Sequence, residues 1–276
     1  MILQRDSRPA LRPFVKTLWA SDQSVAPGLA ARGRERVLPT GDMHIAFRLS
    51  DDPVCLFEGP QDADGCTIGH AVLGGPRADF YLRDTPESVR SVGAQLRAGA
   101  AEILFGAHAD EFTGRHASLA ELWGRAADRA REQLMEASGP QEQLNVLESI
   151  LADRLPRVRG LHPAVAEALE RFQRMPDVGD AVRLSGYSHR RFIVLFRQAV
   201  GLTPKVYCRV LRFQRAIDRI QVRPAESWAE LALTAGFSDQ SHFNREFRTF
   251  TGVTPEEYRV LSPRLAYHVR FPAAVS

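Results

Sequence analysis

The sequence predicts an α+β protein with a small N-terminal β barrel or sandwich carrying a helical hairpin, followed by an all-α C-terminal domain. Three observations predict it. Short apolar runs broken by Pro and Gly fill the chain up to about residue 115. Apolar residues at three/four spacing begin at Ser118. From Pro163 onward the pattern is helical, with stops at Pro176, Gly186, Gly201, Pro224, Gly236 and Gly252. At 276 residues the chain is long enough for two cores, since domains typically hold about 100–200 residues.

The strand-like runs are Arg36–Gly41, His44–Leu49, Val54–Phe57, Phe80–Arg83, Val89–Leu96 and Glu102–Phe105. Their brevity and turn-residue spacing suit a small antiparallel β domain. The helix expected over 118–137 carries Leu119, Leu122, Trp123, Ala126, Ala130 and Leu134, and the one over 141–155 carries Leu144, Leu147, Ile150 and Leu151. Ser138-Gly139-Pro140 stops one and restarts the other. Two readings of this hairpin stay open: packing on the β domain, or a surface for a homodimer. Pro156 to His162 reads as a linker, dividing an expected domain 1–157 from one over 161–262.

Composition excludes several classes. The chain is 44% hydrophobic and 25% charged, and no stretch approaches the ~20 apolar residues of a membrane span. Met1 to Asp6 lacks a basic region followed by a long apolar one, so a cytoplasmic location without a membrane partner is expected. Cys55, Cys66 and Cys208 have no CxxC or Cys/His ligand spacing, which argues against a disulfide framework or zinc site. No GxSxG, P-loop or GxGxxG occurs, and no catalytic residue, cofactor or metal is expected. Net charge is +3, but 17 basic and 11 acidic residues lie from Gly160 onward, against 19 and 22 before it. A polyanionic partner therefore suits the C-terminal half.

That half repeats itself at about 50 residues. Gly186-Tyr187-Ser188 matches Gly236-Phe237-Ser238, Phe192 matches Phe243, and Leu195-Phe196-Arg197 matches Glu246-Phe247-Arg248. Gly201-Leu202-Thr203-Pro204 matches Gly252-Val253-Thr254-Pro255, and Tyr207 matches Tyr258. Each copy reads as a short apolar helix, a glycine corner, and a second helix capped by Ser188 or Ser238. In the second helices, Phe192, Phe196 and Ala199, or Phe243, Phe247 and Phe250, form one apolar stripe. Thr203-Pro204 and Thr254-Pro255 then open further helices. Helix, glycine turn and capped helix form a helix-turn-helix, so two such units are expected over about 178–200 and 228–250.

The face opposite each stripe is the candidate reader of double-stranded DNA. With Phe243 inward, a rotation of about 100° per residue puts Ser241, Asn244, Arg245 and Arg248 outward, with Ser238 and Gln240 at the helix start. Arg, Asn and Gln hydrogen-bond bidentately to guanine or adenine. In the first copy Arg190, Ile193, Val194 and Arg197 face outward, with Ser188 at the start and Arg191 at the margin. Ile193 and Val194 suit contact with a thymine methyl rather than hydrogen-bonded readout.

These residues resemble the AraC/XylS family of bacterial regulators over about 161–261. The run from Ala232 through Gly236-Phe237-Ser238-Asp239-Gln240-Ser241-His242-Phe243, Phe247-Arg248, Gly252, Thr254-Pro255 and Tyr258-Arg259 carries the likeness. So does Arg212-Phe213-Gln214-Arg215-Ala216 in the helix expected from Pro204 to about Gln221. The resemblance implies two recognition helices in successive major-groove segments and contacts with RNA polymerase. Val182, where a small Ala is usual, and the pair Ile193/Val194 depart from the pattern. The second departure shifts specificity toward the second unit and DNA shape.

The N-terminal part resembles a divergent sensor domain fused to some such regulators. The likeness rests on Phe14 to Trp19, Arg36-Val37-Leu38-Pro39, and Val92-Gly93 through Trp123-Gly124. It implies a small cupin-like barrel and a small-molecule effector whose binding residues are not assigned. Trp19, Phe47, Phe57, Phe80 and Tyr81 are candidates for a pocket lining, with a core role favoured for each. Two alternatives stand beside the sensor. One is a domain that only dimerises or binds protein. The other is a metal-cupin enzyme, disfavoured because His44, His70, His108 and His116 are scattered with no His-x-His.

Overall fold

Alternating burial along the N-terminal runs makes strands of them, as in β4, where Met43, Ile45 and Phe47 face the core. The computed structural model of the chain describes residues 2–24, 33–86, 88–155, 160–261, 263 and 265–271. Of the expected linker, 156–159 lie outside the described residues, as does 262 at the expected domain end.

The strands are β1 (Ile2–Arg5), β2 (Val15–Ser24), β3 (Gly33–Val37), β4 (Met43–Arg48), β5 (Val54–Phe57) and β6 (Cys66–Gly69). There follow β7 (Ala71–Gly74), β8 (Tyr81–Thr85), β9 (Ser88–Leu96), β10 (His116–Ser118) and β11 (His268–Phe271). Two antiparallel sheets result, in the orders β1-β2-β9-β4-β7-β10 and β11-β3-β8-β5-β6. Among the described residues the ladders do not close into a ring, so the β domain is an open double sheet.

Two expectations need correction. Glu102–Phe105 lies in a helix, α1 (Ala100–Phe105), not a strand: Gly99 turns the chain at φ 84, and Ala100, Ala101 and Leu104 are buried at helical spacing. The helix expected over 118–137 is broken. Ser118 ends β10 and caps α2 (Leu119–Trp123), then Gly124 at φ 56 separates α2 from α3 (Arg125–Glu136).

α3 pairs with α4 (Pro140–Ala152), and their apolar stripes are used within the chain. Ala127, Ala130 and Leu134 of α3 and Leu144, Leu147 and Leu151 of α4 join the β-domain core. Buried Glu148 ties α4 to the first strand and the turn after it, accepting from Arg5 Nη2 at 2.8 Å and the Arg8 backbone N–H at 2.6 Å.

The C-terminal part holds α5 (Pro163–Arg174), α6 (Val178–Ser185), α7 (His189–Val200), α8 (Pro204–Val222), α9 (Trp228–Ala235), α10 (Gln240–Thr251) and α11 (Pro255–Leu261). α8, 19 residues and about 28 Å long, is the axis of this part. Tyr207 on it meets Phe172 of α5 and Phe196 of the first unit, and Phe213 meets Phe247 and Phe250 of the second. Arg209 of α8 also donates two hydrogen bonds to Glu246 of α10, at 2.8 and 2.7 Å. Such a bidentate pair fixes orientation as well as distance.

The two parts are interlocked. After α11 the chain returns to the β domain, where β11 pairs with β3. Leu38 and Val269 are buried in the helical core, and Phe80 packs against it. No local pattern in the sequence announces this return.

Candidate nucleic-acid interface

Each unit of the repeat is built as expected. The corners Gly186 and Gly236 have φ of 70 and 91, and the helix-ending Gly201 and Gly252 have φ of 84 and 71. This is left-handed backbone that costs other residues about 1–2 kcal/mol. Phe192, Phe196, Phe243, Phe247 and Phe250 are fully buried; Ala199 is only half-buried, and Val200 completes the first stripe.

The caps differ between copies. Ser188 caps α7, its hydroxyl accepting from the Arg191 backbone N–H at 3.4 Å. The expected cap Ser238 is displaced by Asp239, whose carboxylate accepts from the His242 backbone N–H at 2.8 Å. The second copy is one residue longer between its serine and first phenylalanine, which moves the cap forward by one. Ser238 instead donates to Asp239 at 2.9 Å and stands 3.0 Å from His242 Nδ1. Hydrogen bonds from the His242 N–H and the Ser238 hydroxyl hold the Asp239 carboxyl below its usual range.

Opposite the stripes, Arg190, Arg191, Val194 and Arg197 of α7 are exposed, with Ser188 beside them and Ile193 half-buried. On α10 and its approach, Ser238, Gln240, Ser241, Asn244, Arg245 and Arg248 are all exposed. Elsewhere in the helical part several arginines pair with carboxylates, Arg171 with Glu167, Arg183 with Asp180, Arg209 with Glu246 and Arg219 with Glu226, while Arg215 and Arg259 donate to backbone carbonyls. Among the described residues no carboxylate pairs with Arg190, Arg191 or Arg245, whereas the charge of Arg248 acts on Glu257. Arg197 stands 3.9 Å from Asp110, a residue of the β domain. The surface therefore offers guanidinium groups that the protein itself does not neutralise, the condition for phosphate and base-edge contacts.

Of the candidate lining residues, Phe47 is core and Trp19 is half-buried. Phe57 carries the Arg34 guanidinium 3.7 Å over its ring. Phe80 packs on Gly252. Tyr81 alone joins a polar cluster, its ring 4.5 Å from that of His116, which in turn is 5.8 Å from that of His44. Two of the four scattered histidines are thus brought together by the sheets. Among the described residues no group of three or more His, Cys, Asp or Glu could hold a metal. A separate cleft of about 890 Å3 lies between the β and helical parts, bordered by Lys16, Asp42, Gln95, Gln173, Gln214 and Tyr267. No helix of the described residues is long and apolar enough to cross a membrane.

Two glycine-cornered helix pairs, hung on one long helix and presenting unpaired arginines, define a double helix-turn-helix protein of the DNA-binding class. Residues 182–260 match the family model of a helix-turn-helix domain, and residues 4–118 match a domain of unknown function, DUF6597. The chain is 35% identical to YkgA of Escherichia coli (strain K12) over 82 residues, 30% of this chain and 34% of YkgA. It is 35% identical to the HTH-type transcriptional regulator ArgR of Pseudomonas aeruginosa over 72 residues, 26% of this chain and 22% of ArgR. The alignments span 22% to 39% of the curated relatives' own lengths. Among solved structures, ToxT from Vibrio cholerae aligns with 94% of this chain and 98% of its own, at 10% identity and a TM-score of 0.44. The C-terminal helices are therefore those of an AraC-type helix-turn-helix domain, which the chain shares with these transcriptional regulators.

Proposed function

We propose that the chain is a sequence-specific transcription regulator of the AraC type, in which α7 and α10 enter successive major grooves of double-stranded DNA. The observation that carries this reading is the set of exposed arginines, Arg190, Arg191 and Arg245, left without carboxylate partners on the faces opposite the two phenylalanine stripes. In this reading Gln240, Asn244 and Arg245 supply base contacts, Ser188, Ser238 and Ser241 contact the backbone, and Ile193 and Val194 meet thymine methyls. Arg197 leaves Asp110 for a phosphate, the weak 3.9 Å contact being easily exchanged. Arg248 also faces phosphate.

In this reading 1–157 serves as the sensor, joined by β11 after the helical part, 161–262 serves as the DNA reader, and the chain acts as a regulator rather than an enzyme. A small-molecule effector acts through the N-terminal domain, supported by the interlocking of the two parts. RNA polymerase and a second copy of the chain are partners in this reading, in the cytoplasm. α3 and α4 spend their apolar stripes inside the chain, so a dimer there uses their outer, more polar faces.

The test is selection of duplexes from a random-sequence pool by the full chain, followed by salt titration on the enriched sequence. An enriched motif of two half-sites about one helical turn apart is expected, with log affinity falling by about 0.9 per phosphate neutralised for each decade of salt. No enrichment together with salt-independent retention would overturn the proposal.

A further inference from the structure

Between the two sheets lies a polar cluster that the DNA-reading role leaves unused. His44 on β4 and His116 on β10 face Tyr81 and Arg83 on β8 across the domain. His44 owes its place to Gly74 on the intervening β7: a Cβ there would sit 2.0 Å from the His44 ring. Arg83 is neutralised by Glu35 on β3, with the Glu35 carboxylate 3.2 Å from His268 Nδ1.

Arg77 is in a different position. Its guanidinium lies 4.6 Å from the centre of the Tyr81 ring and donates to the Gly114 carbonyl, but among the described residues it has no ion-pair partner. Its Nε is buried without a hydrogen bond, and so is His116 Nε2. Arg77 is half-buried, and the charge of the exposed Asp79 reaches it without forming an ion pair. A buried Nε and a buried imidazole nitrogen thus both remain without hydrogen bonds, a cost that an anion between them would relieve. Burial, with the charges of Arg83 and Arg77, pushes the His44 pKa down to about 3. Burial, with His44, Arg77 and Arg83, pushes that of His116 down to about 2. The imidazoles are therefore neutral, and Arg77 supplies the charge. The cleft between the domains contrasts with this, since its polar groups are already partnered: Lys16 with Asp42 at 2.8 Å, Gln95 with Asp42 at 2.9 Å, and Gln214 with the Thr40 carbonyl at 2.7 Å.

The segment that carries Arg77 and Tyr81 also touches both helix-turn-helix units. Pro76 abuts Gly201 at the end of α7, where a Cβ would lie 2.2 Å from Pro76 Cγ. Phe80 abuts Gly252 at the end of α10, where a Cβ would lie 2.8 Å from Phe80 Cε1. Five residues thus join one half-buried polar cluster to equivalent points of a repeat.

We propose that the cluster of Arg77, Tyr81, His116 and His44 binds a small anion, a carboxylate or a phosphate, and that segment 76–81 transmits its occupancy to both recognition helices. This rests on the regulator reading, whose effector it assigns to a chemical class. A bound anion draws Arg77 and Tyr81 toward His116. Pro76 and Phe80 are tied to the same stretch of backbone, so the ends of α7 and α10 shift with them. Differential contact in the two states is what lets a ligand move an equilibrium.

The test uses the full chain without DNA, titrated with sodium succinate or sodium phosphate against sodium chloride at equal ionic strength. One or both probes should raise Tm saturably, by about 5 °C at roughly 100-fold excess over Kd, and the stronger arm identifies carboxylate or phosphate. Arg77→Gln and His116→Phe should each weaken the effect at least tenfold, so that misfolding of one leaves the other to decide. Arg245→Gln should retain it. On saturation, hydrogen exchange should change at 199–203 and 250–254 in the wild type and not in Arg77→Gln.

No saturable rise over chloride, a rise that survives both cluster variants, or one abolished by Arg245→Gln would overturn the site. Saturable binding with no exchange change at either segment would overturn the relay. Retention of duplex by the anion-free chain at low salt is read separately, so failure of the site is distinct from failure of the regulator reading.

Discussion

Four glycines of the repeat adopt the same left-handed backbone, yet they should not tolerate alanine equally. Gly186 has nothing within 4 Å of an added Cβ, so Gly186→Ala carries only the backbone strain, about 1–2 kcal/mol. Gly201→Ala carries that strain and in addition drives its methyl to 2.2 Å from Pro76 Cγ and 2.9 Å from the Ala109 carbonyl oxygen. Ala109 is backbone, so the clash cannot be relieved by a rotamer change. Overpacking of this kind adds about 1–3 kcal/mol. Gly252→Ala should fall between, because the atoms it meets at 2.8 and 3.0 Å belong to the Phe80 ring, which can tilt. Urea unfolding followed by tryptophan fluorescence ranks the variants by midpoint. Trp228 reports the helical part, and Trp19 and Trp123 report the β part. Gly201→Ala has a second way out, undocking of the two parts, which would appear as faster proteolysis between 155 and 161 and as separation of the tryptophan transitions. Equal midpoints for Gly201→Ala and Gly186→Ala, with unchanged proteolysis, would refute the docking of α7 on the β domain.

Arg245→Ala should cost about 1–3 kcal/mol of discrimination between the selected duplex and a variant at one position, read by competition binding; equal weakening on every duplex would make it a phosphate contact instead. Asp239→Ala should destabilise the helical part by about 1 kcal/mol through loss of the α10 cap, whereas Ser238→Ala, despite its matching place in the repeat, should cost less; reversal of that order in urea melts would return the cap to Ser238. Stability should fall as pH drops below about 6.5. His44 and His116 stay neutral when folded, with pKa values of about 3 and about 2, and take up protons when unfolded, so each contributes at most about 1.4 kcal/mol per pH unit in that window, less for their residual solvent contact. His116→Phe should flatten the dependence of the urea midpoint between pH 6.5 and 4, and an unchanged slope would show that His116 is protonated in the native state.

What could be read from the sequence divides along a physical line. The helix-turn-helix units were legible because their determinants are local: a glycine, a cap and an aromatic stripe, all within about 25 residues of one another. Even the misplaced cap at Ser238 was a local error, since Asp239 stands next to it and competes for the same backbone N–H groups. Helical breaks at Gly99 and Gly124 were harder, because a single glycine inside an apolar run does not announce which side of it is strand and which is helix. The polar cluster was illegible for a different reason. Its members come from five strands and the loop between β7 and β8, spread between Glu35 and His268, and only the sheet register places His116 and His44 on either side of Gly74.

The docking of the two parts shows the same limit within the repeat itself. Gly201-Leu202-Thr203-Pro204 and Gly252-Val253-Thr254-Pro255 read identically to the corner glycines Gly186 and Gly236 as helix punctuation, and all four do have the predicted backbone. What separates them is the far side of the molecule: open space for Gly186 and ordinary contact with Arg212 for Gly236, against Pro76 for Gly201 and Phe80 for Gly252. The two helix-ending glycines are thus selected twice over, once for a left-handed turn and once for the absence of a side chain where the β domain presses in. Because both equivalent points of the repeat are pressed by one six-residue segment, the β domain holds the two recognition helices as a pair. A change in that segment therefore alters their mutual setting rather than either one alone, and the proposed reading of two successive grooves depends on that setting.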